Sequence, residues 1–168
     1  MKFIKSALVI CSLGFSMATT SAAQDLPQKA QTAPNFTIQT EQLSGSLTDL
    51  KGKVVYVDFW ASWCKPCRKS FPWMNEMQAK YPEKLQIIAI NLDAEPELAA
   101  AFLDNVPATM PIVYDPQGEI ASAYQLLGMP SSYLIDKKGN LRLAHKGFFT
   151  EKKALYEHEI TTLINEQE

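Results

Sequence analysis

The chain has little histidine, few cysteines and no surplus of charge. Two His in 168 residues are too few to seed a convincing metal centre, because a structural zinc site takes about four ligands. Sixteen basic and eighteen acidic residues leave a net charge of −2. With no basic excess to hold a polyanion, nucleic-acid binding is not expected. Charged residues make up 20% and hydrophobic residues 46%, which excludes a disordered or collagen-like chain. No internal repeat occurs, and no linker divides the chain into two domains. The length suits one domain with its own core.

What is present begins with a targeting pattern. Residues 1–5 carry Lys2 and Lys5, residues 7–17 are mostly apolar, and Ser21-Ala22-Ala23 supplies small residues before Gln24. This is the layout of a secretory signal peptide. The apolar run is too short for a spanning helix, although an uncleaved anchor is the alternative. Bulky Ile10 precedes Cys11, where lipid attachment would want a small residue. Cleavage after Ala23 removes both lysines and no acid, leaving fourteen basic residues against eighteen acidic ones and a charge of −4. It also removes Cys11, so the mature chain holds only Cys64 and Cys67. In an oxidising compartment such a pair invites a disulfide. Its loop is too short to constrain the unfolded chain much, so the pair reads as chemistry rather than as a staple. The expected organisation is a signal peptide over 1–23, a polar flexible leader over 24–33 and one domain over 34–168.

Residues 35–40 and 47–50 are expected to form short strands. Val54-Val55-Tyr56-Val57-Asp58-Phe59-Trp60 is β-branched and aromatic throughout, as in a central strand buried on both faces. A helix is expected over 65–80, with Pro72 kinking it or ending its first segment. Strands follow at 85–92 and 111–114. Helices are expected over 97–106, with Leu98, Ala101, Phe102 and Val106 inward, and over 119–127, with Ile120, Tyr124 and Leu127 inward. A hairpin joins 132–136 to 141–144 around Lys137-Lys138-Gly139-Asn140. A last helix over 151–164 turns Tyr156, Ile160, Leu163 and Ile164 inward. Strands alternating with helices and closed by a hairpin predict an α/β sandwich around a mixed sheet.

The chemistry centres on Trp63-Cys64-Lys65-Pro66-Cys67. A Cys-x-x-Cys that follows a buried strand and opens a helix puts both sulfurs on one face of the first turn, within reach of a disulfide. Unpaired amides and partial positive charge at a helix N-terminus favour a thiolate on an exposed first cysteine. Pro66 costs little there, since its missing N–H would lack a partner anyway. Cys64 is therefore expected to attack a disulfide and Cys67 to resolve the mixed disulfide. Asp58, six residues before Cys64, sits in an otherwise apolar strand that would raise its pKa.

At these residues the sequence resembles the thioredoxin superfamily. The stretch from Val57 to Cys67 is similar to the thioredoxin active-site strand and turn, and Gly128-Met129-Pro130 to its cis-proline loop. Ala33-Pro34-Asn35-Phe36 and Leu50-Lys51-Gly52-Lys53 resemble the N-terminal hairpin of the secreted TlpA/ResA/DsbE-like members, and residues 93–109 their extra central helix. The resemblance implies a three-layer thioredoxin-like sandwich, with a mixed central sheet flanked by helices. It implies a periplasmic thiol–disulfide oxidoreductase, most simply a disulfide reductase. Such a protein is expected as a monomer with no cofactor, working on protein disulfide or dithiol substrates and recharged by a membrane thiol donor. It gives Asp58 the proton of Cys67, and gives Trp63, Met129 and cis-Pro130 the substrate surface, Met129 through its backbone. Asp93 or Glu95 stands where ResA-like members place an acid near the site. Arg68-Lys69-Ser70 stands where members serving cytochrome c maturation often carry an acid. No Lys occurs between Leu85 and Asp93 to pair with Asp58. An oxidase or isomerase, a copper-delivery protein and a peroxidase remain as alternatives. The second lacks a motif His. The third lacks the Thr expected shortly before a single activated Cys.

Overall fold

A computed structural model describes residues 31–167; the expected signal peptide and most of the leader lie outside the described residues. Among the described residues, eight strands and four α-helices follow one another. They are β1 (Gln31–Thr32), β2 (Thr37–Gln39), β3 (Ser44–Ser46), β4 (Val54–Trp60), α1 (Cys67–Lys80), β5 (Leu85–Asn91), α2 (Pro96–Asn105), β6 (Ile112–Tyr114), α3 (Glu119–Ala123), β7 (Ser131–Ile135), β8 (Asn140–Lys146) and α4 (Lys153–Asn165). Six strands form a mixed sheet in the order β1-β8-β7-β4-β5-β6, and β2 and β3 form a separate hairpin. Central β4 pairs parallel with β5 and antiparallel with β7. All seven of its residues are buried, as its unbroken apolar run predicts.

Alternation along β4 divides the core. Val54, Tyr56 and Trp60 face α1, α2 and α4, whereas Val55, Val57 and Phe59 face α3 and the N-terminal hairpin. This is the expected three-layer arrangement, and α2 is the expected extra helix between β5 and β6. Trp60 lies 4.9 Å from Phe71 and 4.7 Å from Phe102, ring centre to ring centre. The aromatic cluster fixes α1 and α2 against the end of β4.

Five expectations change. Residues 47–50 form a 3-10 turn rather than a strand, because the Asp49 carboxylate accepts the Ser46 N–H at 2.8 Å and turns the chain. The ordered chain begins before 34: Gln31 and Thr32 pair with Leu141 and Asn140, and Ala33 is buried. Of the two outcomes expected at Pro72, a kink or the end of a first segment, the second does not occur, since α1 runs through it; the Arg68 carbonyl that loses its partner belongs to an exposed residue. The buried stripe of α2 carries Ala99 and Phe102, with Leu98 45% exposed; small Ala99 lets the helix approach the sheet. Leu127 is 84% exposed, because α3 stops at Ala123 and Gln125 turns the chain with a left-handed φ of 52°.

That left-handed residue yields a prediction. A side chain there costs backbone energy that glycine avoids. Gln125→Gly is expected to stabilise the fold by up to about 1 kcal/mol, or roughly 3 °C in Tm. A thermal melt showing a lower Tm would contradict this reading of the turn.

Candidate functional site

Two successive turns carry the chain from β4 into α1. The Cys64 N–H donates to the Ala61 carbonyl at 3.0 Å, and the Cys67 N–H donates to the Cys64 carbonyl at 3.2 Å. Cys67 is the first residue of α1 and Pro66 precedes it with helical φ and ψ. The helix thus starts later than the expected residue 65, and Cys64 stands just outside it. The two cysteines form a disulfide with a Cα–Cα distance of 5.4 Å. Cys64 is only 3% exposed and Cys67 is fully buried. Greater exposure was expected of Cys64, which instead lies in the buried cluster with Cys67. Its neighbours Trp63, 68% exposed, and Lys65 project into water.

The Met129–Pro130 peptide is cis. The loop holding it is tied at both ends: Ser131 Oγ donates to the Gly128 carbonyl at 2.7 Å, and the Gly147 N–H donates to the Pro130 carbonyl at 2.8 Å. Because β7 runs antiparallel to β4 with Ser131 opposite Phe59, this loop lies at the end of β4 that bears the disulfide. Met129 packs against the cluster that includes both cysteines. The structure therefore brings Trp63, Cys64, Cys67, Met129 and Pro130 to one end of the sheet.

Asp58 shares the β4 face of Tyr56 and Trp60 and so lies beneath α1. It is 2% exposed, and its Oδ2 has no hydrogen-bond partner among the described residues. Its strand neighbours are Ala89 and Ser132, and the Ser132 hydroxyl accepts the Tyr56 phenol at 2.7 Å. No ion pair to Asp58 occurs among the described residues. Burial without compensation raises its pKa well above the usual carboxylate range. Asp58 charge, after desolvation, helps push the Tyr56 phenol up as well.

Sequence reasoning named Asp93 without its partner. Asp93 is buried and binds Ser62 through both carboxylate oxygens, taking the backbone N–H and the hydroxyl at 2.8 Å each. Glu95 is exposed at the start of α2. The available signal was an Asp just past the end of a buried strand, level with the active-site turn. Trp60, Met74, Met77 and Met110 are core packing. His145 lies 2.9 Å from Glu159, bridging β8 to α4, and His158 is exposed.

A thioredoxin-like sheet with a Cys-x-x-Cys disulfide at the mouth of α1 and a cis-proline loop beside it defines a thiol–disulfide oxidoreductase. The chain belongs to the AhpC/TSA family, whose model matches residues 30–144. It is 36% identical to the thioredoxin-like protein YneN of Bacillus subtilis over 162 residues, covering 90% of this chain and 94% of that protein. It is 39% identical to the thiol-disulfide oxidoreductase ResA of Bacillus thuringiensis over 123 residues, covering 72% and 71%. A Chlorobium tepidum crystal structure described as a thiol:disulfide interchange protein DsbE superposes with a TM-score of 0.77 at 45% identity, covering 82% of this chain and 99% of that one.

Proposed function

We propose that the protein is an exported disulfide reductase, with Cys64 as nucleophile and Cys67 as resolving thiol. The observation that carries this reading is the position of the pair. Cys64 ends a surface turn between exposed Trp63 and Lys65, while Cys67 lies under it in the first turn of α1, on the side of buried Asp58.

In the reduced protein the Cys64 thiolate attacks one sulfur of a substrate disulfide. That bond breaks, a mixed disulfide forms, and the departing substrate thiolate takes a proton. Cys67 passes its proton to Asp58 and attacks the Cys64 sulfur. The second substrate thiolate leaves, so the substrate gains two electrons and the protein becomes the Cys64–Cys67 disulfide. The Met129 backbone beside cis-Pro130 would pair with the substrate chain as an added strand, with Trp63 packing over it. A thiol donor at the membrane would restore the dithiol.

The first 23 residues support export to the periplasm, and among the described residues no helix is long and apolar enough to cross a membrane. The proline before the second cysteine supports the reducing direction by resemblance. Titration of the pair against glutathione or dithiothreitol, read by the fluorescence of Trp60 and Trp63, is expected to give a midpoint at or below about −220 mV. A midpoint near about −120 mV would point to an oxidase instead, and the absence of a reversible couple would remove the enzymatic reading.

A further inference from the structure

The basic residues around the redox pair take no part in the exchange chemistry. Cys64 is followed by exposed Lys65, and Cys67 by exposed Arg68 and Lys69. Arg68 and Lys69 stand in the first turn of α1, which holds no acid. The helix dipole disfavours cations there, so the helix gains nothing from them. The Arg68 guanidinium lies 4.7 Å from the centre of the Phe102 ring, which places it on the α2 side of the pair. None of the three makes an ion pair among the described residues.

A fourth cation reaches the site from the other side. Lys146 ends β8 opposite Ser131, the residue after cis-Pro130. Its Cε lies 3.7 Å from where a Cβ on Gly128 would stand, so the side chain runs against the loop that holds Met129. Lys146 is exposed and makes no ion pair among the described residues. Cations therefore flank both the cysteine turn and the cis-proline loop, where Trp63 and Leu127 are exposed as well.

The carboxylates at this end of the sheet do not cancel them. Asp93 and Asp115 are buried and turned to donors on Ser62 and at the start of α3. Glu95 and Glu97 are exposed at the start of α2, and exposed Glu119 stands beyond β6, two strands from β4. Glu151 and Lys152, after β8, are one of each sign. The chain carries a net charge of −2, so the molecule away from these four cations is acidic and the reacting face is opposite to it in sign.

We propose that this face selects protein disulfides flanked by acidic residues, with Lys65, Arg68, Lys69 and Lys146 drawing an acidic segment in between the cysteine turn and the cis-proline loop. The proposal rests on the assignment of Cys64 as nucleophile and names the class of substrate that Cys64 meets. The cations surround the reacting sulfur, so what they hold has to present a disulfide there, which favours a protein substrate over a membrane surface. Complementary charge speeds encounter and suppresses partners of the wrong sign, and salt weakens both effects.

The test uses the reduced full chain with Cys11→Ala, so that only the pair reacts. Its single-turnover oxidation, followed by tryptophan fluorescence, is measured with three peptides. Each holds the same intramolecular disulfide, flanked by paired glutamates, glutamines or lysines. In about 10 mM salt, where charges act over about 30 Å, the glutamate peptide is expected to react at least about tenfold faster than the lysine peptide. The glutamine peptide should fall between them. In about 1 M salt, where the range shrinks to about 3 Å, the three rates should converge. Two variants with the same change of net charge are then compared. In Lys146→Glu the ratio of the glutamate to the glutamine rate should fall severalfold. In Lys84→Glu, which alters an exposed lysine at the far end of the sheet just before β5, that ratio should stay at the parent's value. Equal rates for the glutamate and lysine peptides at low salt would overturn the proposal, and this comparison needs no variant. An equal ratio in Lys146→Glu and Lys84→Glu would overturn it too. Binding of the parent to phosphatidylglycerol vesicles, with no preference among the peptides, would assign the cations to a membrane instead. The glutamine peptide separates this failure from that of the reductase reading. If it too is left unreduced, the reductase reading falls; if it is reduced as fast as the glutamate peptide, only the selection falls.

Discussion

Cys64→Ser is expected to lower disulfide reduction by at least about a thousandfold, because the hydroxyl that replaces the thiolate does not attack a disulfide at neutral pH. Cys67→Ser is expected to lose turnover equally but to keep the first step, so it should accumulate a covalent adduct with substrate through Cys64. Position rather than exposure carries the assignment, since both sulfurs are nearly closed off in the disulfide. Cys64 precedes the helix on a turn beside solvent-facing Trp63, whereas Cys67 is built into α1 and fully buried. Non-reducing electrophoresis of each reduced variant after exposure to a protein disulfide checks this. An adduct on Cys64→Ser and none on Cys67→Ser would reverse the two roles. Folding should survive either change. A disulfide closing so short a loop contributes about 2 kcal/mol in the chain-entropy picture.

The same positions show what could be read from the sequence and what could not. The strand from Val54 to Trp60 was legible to the residue, because a seven-residue β-branched and aromatic run has few other stable uses. The redox pair was legible because Cys-x-x-Cys after such a strand combines spacing with a helix start. Leu98 was misplaced because periodicity names a face but not its rotation against the sheet, and Leu127 because periodicity does not show where a helix stops. In α2 small Ala99 and large Phe102 settle that rotation by packing on Trp60 and Phe71. At Leu127 a single left-handed residue, Gln125, redirects the chain. The Asp93–Ser62 clamp joins residues 31 apart. Only the parallel pairing of β4 with β5 brings them level, and no local pattern encodes it.

Asp58→Asn is expected to make the protein more stable and less active, and both effects should depend on pH. The Asp58 carboxyl is buried, makes no ion pair among the described residues, and has a pKa raised by desolvation. The folded chain therefore holds this proton more tightly than the unfolded chain does. Asp58 costs nothing below its unfolded value near pH 4. As pH rises from there through the raised folded value, the native state must bury a charge and loses stability. An amide at this position carries no charge at any of these pH values. Asp58→Asn should thus unfold at higher urea than the parent at pH 8, by on the order of 2 kcal/mol, with the difference shrinking toward pH 4. Catalysis should move the other way. Without a group to take the Cys67 proton, resolution of the mixed disulfide should slow by roughly 100-fold, a typical contribution from a positioned base. Adduct on Cys64 should then persist in the variant long enough to be trapped with acid. A stability difference that does not change between pH 4 and pH 8 would show that Asp58 is not the buried, uncompensated carboxyl described here. Wild-type resolution rates in Asp58→Asn would show that the Cys67 proton leaves by another route.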